Sequence, residues 1–232
     1  MSTGAIRSVY EAVCAVIIEE IGNLDEHRAM FAPAIDRLCS ARPAEPPPAN
    51  PLAVVNQWLP SALEGLAGPS SRALDGHRQI GARLADAGSA SAWRRAYDEL
   101  PPSPDLDAYR EHYAWLPLAA PPDRSMPAPF VAGDALVGLS LQAPGVTYPH
   151  HHHEAAELYG VLCGPIDWQV GDGPWTTMHP GDTIVHRPSE SHSMRTGDHA
   201  ALCWALWPDR SDSVVVMPSM DPNPASTPKV YG

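Results

Sequence analysis

Basic residues are scarce in this chain of 232 amino acids: 15 Lys and Arg stand against 27 Asp and Glu, a formal net charge of -12. That balance excludes an electrostatic groove for nucleic acid and a patch for anionic lipid. No run of 18 apolar residues occurs, so no transmembrane helix is expected. The apolar stretch Val13–Ile18 has no basic leader, and Glu19 and Glu20 close it, so it reads as a helix of the mature protein rather than a signal peptide. The four cysteines, Cys14, Cys39, Cys163 and Cys203, include no Cys-x-x-Cys pair. A zinc ribbon and a redox pair are thereby excluded, and buried thiols of a reduced, cytoplasmic protein are expected. Glycine (17) is outnumbered by proline (27), which excludes a long-helix architecture. Phosphate-binding, dinucleotide-binding and Gly-x-Ser-x-Gly fingerprints are absent.

What is present divides the chain in texture. Ile6, Val9, Tyr10, Val13, Ile17 and Ile21 recur at steps of three and four, one apolar helix face that Gly22-Asn23 ends. Further helices are expected over residues 25–42, with Pro33 kinking or splitting it, over 52–66, and from 71 to 100. The segment Arg42–Pro51 reads as an extended connector, and the prolines from 101 to 129 as irregular chain. After Phe130 the period changes to two. Strands are expected near Val137–Gln142, Leu158–Cys163, Ile166–Val170, Thr183–Arg187 and Ala201–Trp207, with Pro/Gly turns between them. The expected fold is α+β: a helical N-terminal region, 1–125, packed on an antiparallel jelly-roll barrel, 126–217, with a surface tail over 218–232. The helical region carries no readable motif and offers either a cap for one barrel end or a homodimer interface.

Four of the 11 histidines are consecutive, His150–His153, followed by Glu157 and Tyr159. Alternate side chains of a strand share a face, so with a short, direction-preserving turn or bulge at Glu154–Ala156, His151, His153, Glu157 and Tyr159 are expected to point inward together, and His150 and His152 away. Pro180-Gly181-Asp182 precedes His192, which strand pairing can bring to the same cluster. Three imidazoles and a carboxylate suit one borderline divalent metal ion, Zn, Fe, Mn or Ni, with positions left open for a substrate. His186 lies on an expected strand and could face the barrel, whereas His27, His77, His112 and His199 read as surface residues and His179 and Asp182 as turn residues.

Gly145, His151, His153, Glu157 and Gly164 stand at the spacing of the first cupin motif, and Pro180-Gly181 and His192 at that of the second. The chain therefore resembles the cupin superfamily over about Phe130–Pro208. Within the second motif Pro188 sits one position late and the inner glycine is missing. The pattern His-x-His-x-x-x-Glu-x-Tyr after a tyrosine, behind a helical extension, is similar to the bacterial cupin-type dimethylsulfoniopropionate (DMSP) lyases, most of all the DddL branch. The resemblance implies His151, His153, Glu157 and His192 as metal ligands, Tyr159 as base, Tyr148 as a second site tyrosine, and Trp207 or Trp204 lining the pocket. It implies cleavage of a small zwitterion, DMSP, to dimethyl sulfide and acrylate by β-elimination. A metal-dependent oxygenase or isomerase on the same ligands, and a non-catalytic binding cupin, are the alternatives.

Overall fold

A computed structural model describes residues 3–68, 75–87, 92–97, 104–122, 126–209 and 215–217. Five helices come first: α1 (Thr3–Asn23), α2 (Arg28–Cys39), α3 (Ala53–Ala67), α4 (Asp75–Ala87) and α5 (Pro104–His112). The apolar stripe of α1 is buried as its period demands, and Tyr10 stacks on Phe130 with ring centroids 4.4 Å apart while its hydroxyl donates to the Leu38 carbonyl. Pro33 does not split α2, and α3 likewise runs through Pro60. Each proline removes one backbone bond, and the burial of Phe31, Ala34 and Leu38 in α2, and of Val55, Leu59 and Ala62 in α3, outweighs that loss.

Eleven strands follow or interleave: β1 (Arg42–Pro43), β2 (Tyr113–Ala120), β3 (Phe130–Val131), β4 (Leu136–Gln142), β5 (Thr147–His151), β6 (Glu157–Cys163), β7 (Ile166–Val170), β8 (Thr176–Met178), β9 (Thr183–His186), β10 (His192–Thr196) and β11 (Ala201–Trp207). They form a seven-stranded sheet, β1-β3-β2-β4-β11-β6-β9, and a four-stranded sheet, β5-β10-β7-β8. Among the described residues the strand pairings are antiparallel except that of β2 with β3. Side chains of the two sheets meet across the interior, where Trp168 of β7 bonds His186 of β9. This is the expected α+β class with a jelly roll.

Several expectations are corrected. The stretch expected to be irregular or helical before residue 125 holds β2, which pairs with β4 inside the larger sheet. Its near-continuous burial gives no alternation, and Pro117 sits at the register shift, where no ladder N–H is needed. Of the helix expected over 71–100, the described helical part is α4, and residues 92–97 are not helical, with Arg94 exchanging backbone bonds with Trp115. The connector after Arg42 begins with β1. His77 is not at the surface: it lies on the buried stripe of α4 with Ile80, Gly81 and Leu84. Cys39 is exposed and Cys163 half-buried, so only Cys14 and Cys203 are buried thiols. The tail over 218–232 lies outside the described residues. No helix among the described residues is long and apolar enough to cross a membrane.

β6 and β11 meet at the core's tightest point. Gly160 is opposite Trp204, whose fully buried indole lies where a Cβ would stand, 2.2 Å from Cε2 and 2.3 Å from Cζ2. Gly160→Ala is therefore expected to destabilise the fold by about 1–3 kcal/mol, the usual cost of overpacking. Chemical denaturation measures it, and an unchanged midpoint would show that the sheet yields there freely.

Candidate active site

The site is assembled where the two sheets face each other. On β5 the pairing with β10 runs His151 to His192 and then Tyr148 to Met194, so β5 carries one extra residue. That bulge turns Tyr148 and His151, three positions apart, to the same side. Their rings stack at 3.9 Å and 15°. After His151 the chain leaves the strand: His152 pairs its backbone with Val216, His153 sits in the turn, and Glu157 opens β6 in the other sheet. His151, His153, Glu157 and Tyr159 thus share the interior as expected. They do so by a crossing between sheets, not by the alternation of one strand. His150 and His152 are half-buried and point elsewhere; His150 Nε2 lies 2.8 Å from Gln169 Oε1.

His192 arrives on β10. His151, His153 and His192 are each 2% exposed or less, and their ligand atoms lie within 4.8 Å of one another. In each, Nδ1 faces a backbone carbonyl: Pro149 at 2.9 Å, Ala155 at 2.9 Å and Glu190 at 2.8 Å. A carbonyl only accepts, so each Nδ1 donates and each Nε2 is turned to the interior. Glu157 Oε1 accepts from the Trp207 indole at 2.6 Å, while Oε2 lies 3.1 Å from His153 Nε2 and 3.3 Å from His192 Nε2. His192 Nε2 is buried and has no hydrogen-bond partner among the described residues. Buried imidazole nitrogens gathered beside a carboxylate in this way can hold a metal ion.

The electrostatics follow from burial and neighbours. Burial would push the Glu157 carboxyl up, but the neighbouring His153 and His192 imidazoles hold it well below the usual carboxylate range. Burial, then the neighbouring His192 and His153, keeps His151 neutral to well below the usual imidazole range. Burial, then the Glu157 charge, holds the Tyr159 phenol well above its usual value.

A cavity of about 310 Å³ opens over these donors. Tyr159, opposite Ala205 and Ile184, lines it together with Tyr148 and Trp207. Tyr148 is sandwiched between His151 and Tyr109, at 3.9 and 4.3 Å, and its hydroxyl bonds that of Tyr97. Its ring faces are therefore closed to a ligand. Trp204 lies on the other face of β11 against Gly160 and is not part of the cavity; the alternation of β11 sends Ala205 and Trp207 inward instead.

One wall residue was not legible in the sequence, and one histidine that could face the barrel does so. Tyr97, in the non-helical stretch after α4, closes the cavity from the helical side; no periodicity marks it. His186, opposite Glu157 on β9, is fully buried, stacks on His192 at 3.8 Å and 8°, and accepts from Trp168 Nε1 at 2.9 Å. Burial, then His192, pushes its pKa down to about 2. Its ligand atoms also come within 4.8 Å of those of Glu157 and His192. Its place next to Glu157 depended on the β6–β9 register, which spacing alone does not give.

The model of the dimethylsulfoniopropionate lyase family matches residues 31–203. A DMSP lyase DddQ of Ruegeria pomeroyi is 32% identical over 77 residues, 33% of this chain and 38% of that protein. A putative DMSP lyase DddL of Cereibacter sphaeroides is 28% identical over 178 residues, 74% of this chain and 66% of that protein. The chain thus spans less than two thirds of either relative. Among solved structures, DddQ from Ruegeria pomeroyi superposes with a TM-score of 0.65 at 19% identity, covering 93% of this chain and 98% of that one. A structure reported with the DMSP lyases RdDddP and RnDddQII gives 0.64 at 23%, covering 99% and 98%. At these identities the likeness is one of fold. With the family model spanning most of its length, the chain belongs to the dimethylsulfoniopropionate lyase family.

Proposed function

We propose that this protein cleaves DMSP to dimethyl sulfide and acrylate by base-catalysed β-elimination at a divalent metal centre held by His151, His153, Glu157 and His192. The observation that carries this reading is the placement of Tyr159, a buried phenol two residues beyond Glu157 on the same strand, in the same cavity as the donor cluster.

The substrate bears a carboxylate at one end and a sulfonium at the other. The base takes the proton α to the carboxylate, the freed electron pair becomes the carbon–carbon double bond, and the carbon–sulfur bond breaks to release neutral dimethyl sulfide. The sulfonium is a good leaving group, so no acid is needed there. A bound Zn, Fe, Mn or Ni ion supplies positive charge for the substrate carboxylate and for a phenolate. Tyr159 receives the proton at its phenolic oxygen. Burial and Glu157 oppose its ionisation, so it serves as base only where a cation balances Glu157. Trp207 holds Glu157 through its indole N–H and offers its cavity side to the sulfonium, an aromatic contact of roughly 0.5–2 kcal/mol. The aromatic walls and the 310 Å³ cavity favour a small, partly apolar cation over a large oxygenase substrate. Soluble, intracellular operation and action on the free metabolite complete the proposal.

Two outcomes are expected. His153→Ala, His192→Ala and Glu157→Ala each lower the divalent metal retained after dialysis, measured by elemental analysis, while His152→Ala retains it. Full metal content in the first three would defeat the ligand assignment. Tyr159→Phe keeps the ring, the fold and the metal, and lowers dimethyl sulfide release from DMSP on the order of 10²–10⁴-fold, the usual cost of losing a general base. Undiminished release would move the base elsewhere, and no release by the wild type with any of the four metals would remove the reaction.

A further inference from the structure

We propose that His186 is a positioning residue for the metal centre: it is not a ligand but the ring that fixes the plane of His192. The proposal rests on reading the donors as a metal centre and not on the reaction catalysed there.

His186 and His192 flank a tight turn. Within it Glu190 N donates to the Arg187 carbonyl at 3.0 Å, Arg187 N donates to Glu190 Oε2 at 3.0 Å, and Ser189 adopts a left-handed φ of 64°. The turn folds β10 back so that the two imidazoles lie face to face, 3.8 Å between centroids and 8° from parallel. A ligand's lone pair lies in the plane of its ring. Two stacked, parallel rings project their lone pairs side by side, and these do not converge on one ion. His186 Nε2 is in any case engaged by the Trp168 indole N–H at 2.9 Å. The group formed by Glu157, His186 and His192 is therefore three neighbours and not a second coordination set.

What the stack does is mechanical. His192 is tethered at one edge by Nδ1 to the Glu190 carbonyl, and that bond alone leaves the ring free to tilt about it. His151 meets it edge-on at 4.1 Å, and His186 closes its face. His186 is itself held from both sheets: β9 pairs it with Glu157, and Trp168 reaches it from β7. The aim of His192 Nε2 is thus set by a ring that belongs to the opposite sheet.

The test compares His186→Ala, His186→Phe and Trp168→Phe in the full chain. Zinc affinity is read by chelator competition and ligand geometry by the visible spectrum of the cobalt-substituted protein. Circular dichroism and melting of the metal-free form report folding. His186→Ala is expected to lose about 10–100-fold in zinc affinity and to shift the cobalt bands, as removal of an outer partner of a ligand does. His186→Phe, which restores a flat ring without a nitrogen, recovers most of the affinity. Trp168→Phe leaves the ring but frees it, and shifts the cobalt bands with the fold intact. It decides the matter if His186→Ala does not fold, since unchanged bands would overturn the proposal. Equal losses in the Phe and Ala variants would make His186 a ligand, and undiminished affinity in the Ala variant would make it a bystander; either overturns it. A wild type that binds no zinc or cobalt would instead overturn the metal centre itself.

Discussion

The carboxylate of Glu157 is the group on which the interior depends. It is a charge almost without solvent, and a charge in that position is costly unless every lone pair is met. Its partners come from three places: the Trp207 indole from β11, His153 from the turn after β5, and His192 from β10 of the other sheet. Two sheets that could otherwise slide on an apolar interface are thereby given one relative position. The same requirement accounts for the density of imidazole here, since hydrocarbon would leave the carboxylate stranded.

The helical region is part of this arrangement and not an appendage. Residues 92–97 lie along β2 through the Arg94–Trp115 backbone pair, and the Tyr97 hydroxyl meets that of Tyr148. Arg110 of α5 donates to the Tyr97 carbonyl and is itself paired with Asp107 at 2.9 Å. Tyr109 and Tyr148 stack, and Tyr148 stacks in turn on His151. The His151 ring is therefore backed by aromatic side chains that begin on a helix, which is why the cavity is walled on that side. Of the two roles expected for the helical region, covering the barrel is the one these contacts describe.

Much of this was legible in the sequence, for reasons that can be named. Strands β4, β6, β7, β9 and β11 were expected to within about one residue, because short apolar or alternating runs there are bounded by Pro/Gly turns. The donor set was legible because spacing and residue type suffice for it. β2 was not, since Pro117 within it reads as a breaker and the segment lies among further prolines. Parity also misled in one respect. It counted through a turn that keeps direction within one sheet, whereas a bulge in β5 and a turn that crosses between sheets deliver the same faces and admit Tyr148, which parity would have sent outward. Trp204 and Trp207 are three positions apart, and only the strand's alternation separates the core residue from the cavity residue.

The residues hardest to read were those whose role is to hold another side chain. A ligand is constrained by its own chemistry and so leaves a motif, but the ring behind it needs only to be flat, buried and opposite. Each histidine of the cluster has such a ring: Tyr148 behind His151, Trp207 beside His153 at 4.2 Å, His186 on His192. Each also has its Nδ1 on a main-chain carbonyl two residues away. One edge and one face are thereby fixed for every ring, which leaves Nε2 aimed before any ion arrives. An ion entering such a site need not order its ligands, so little of its binding free energy is spent on rotamer entropy. Aromatic composition thus carries information that spacing does not. In this chain Tyr148 and Trp207, which a sequence reading assigns to a substrate, are engaged with His151, His153 and Glu157.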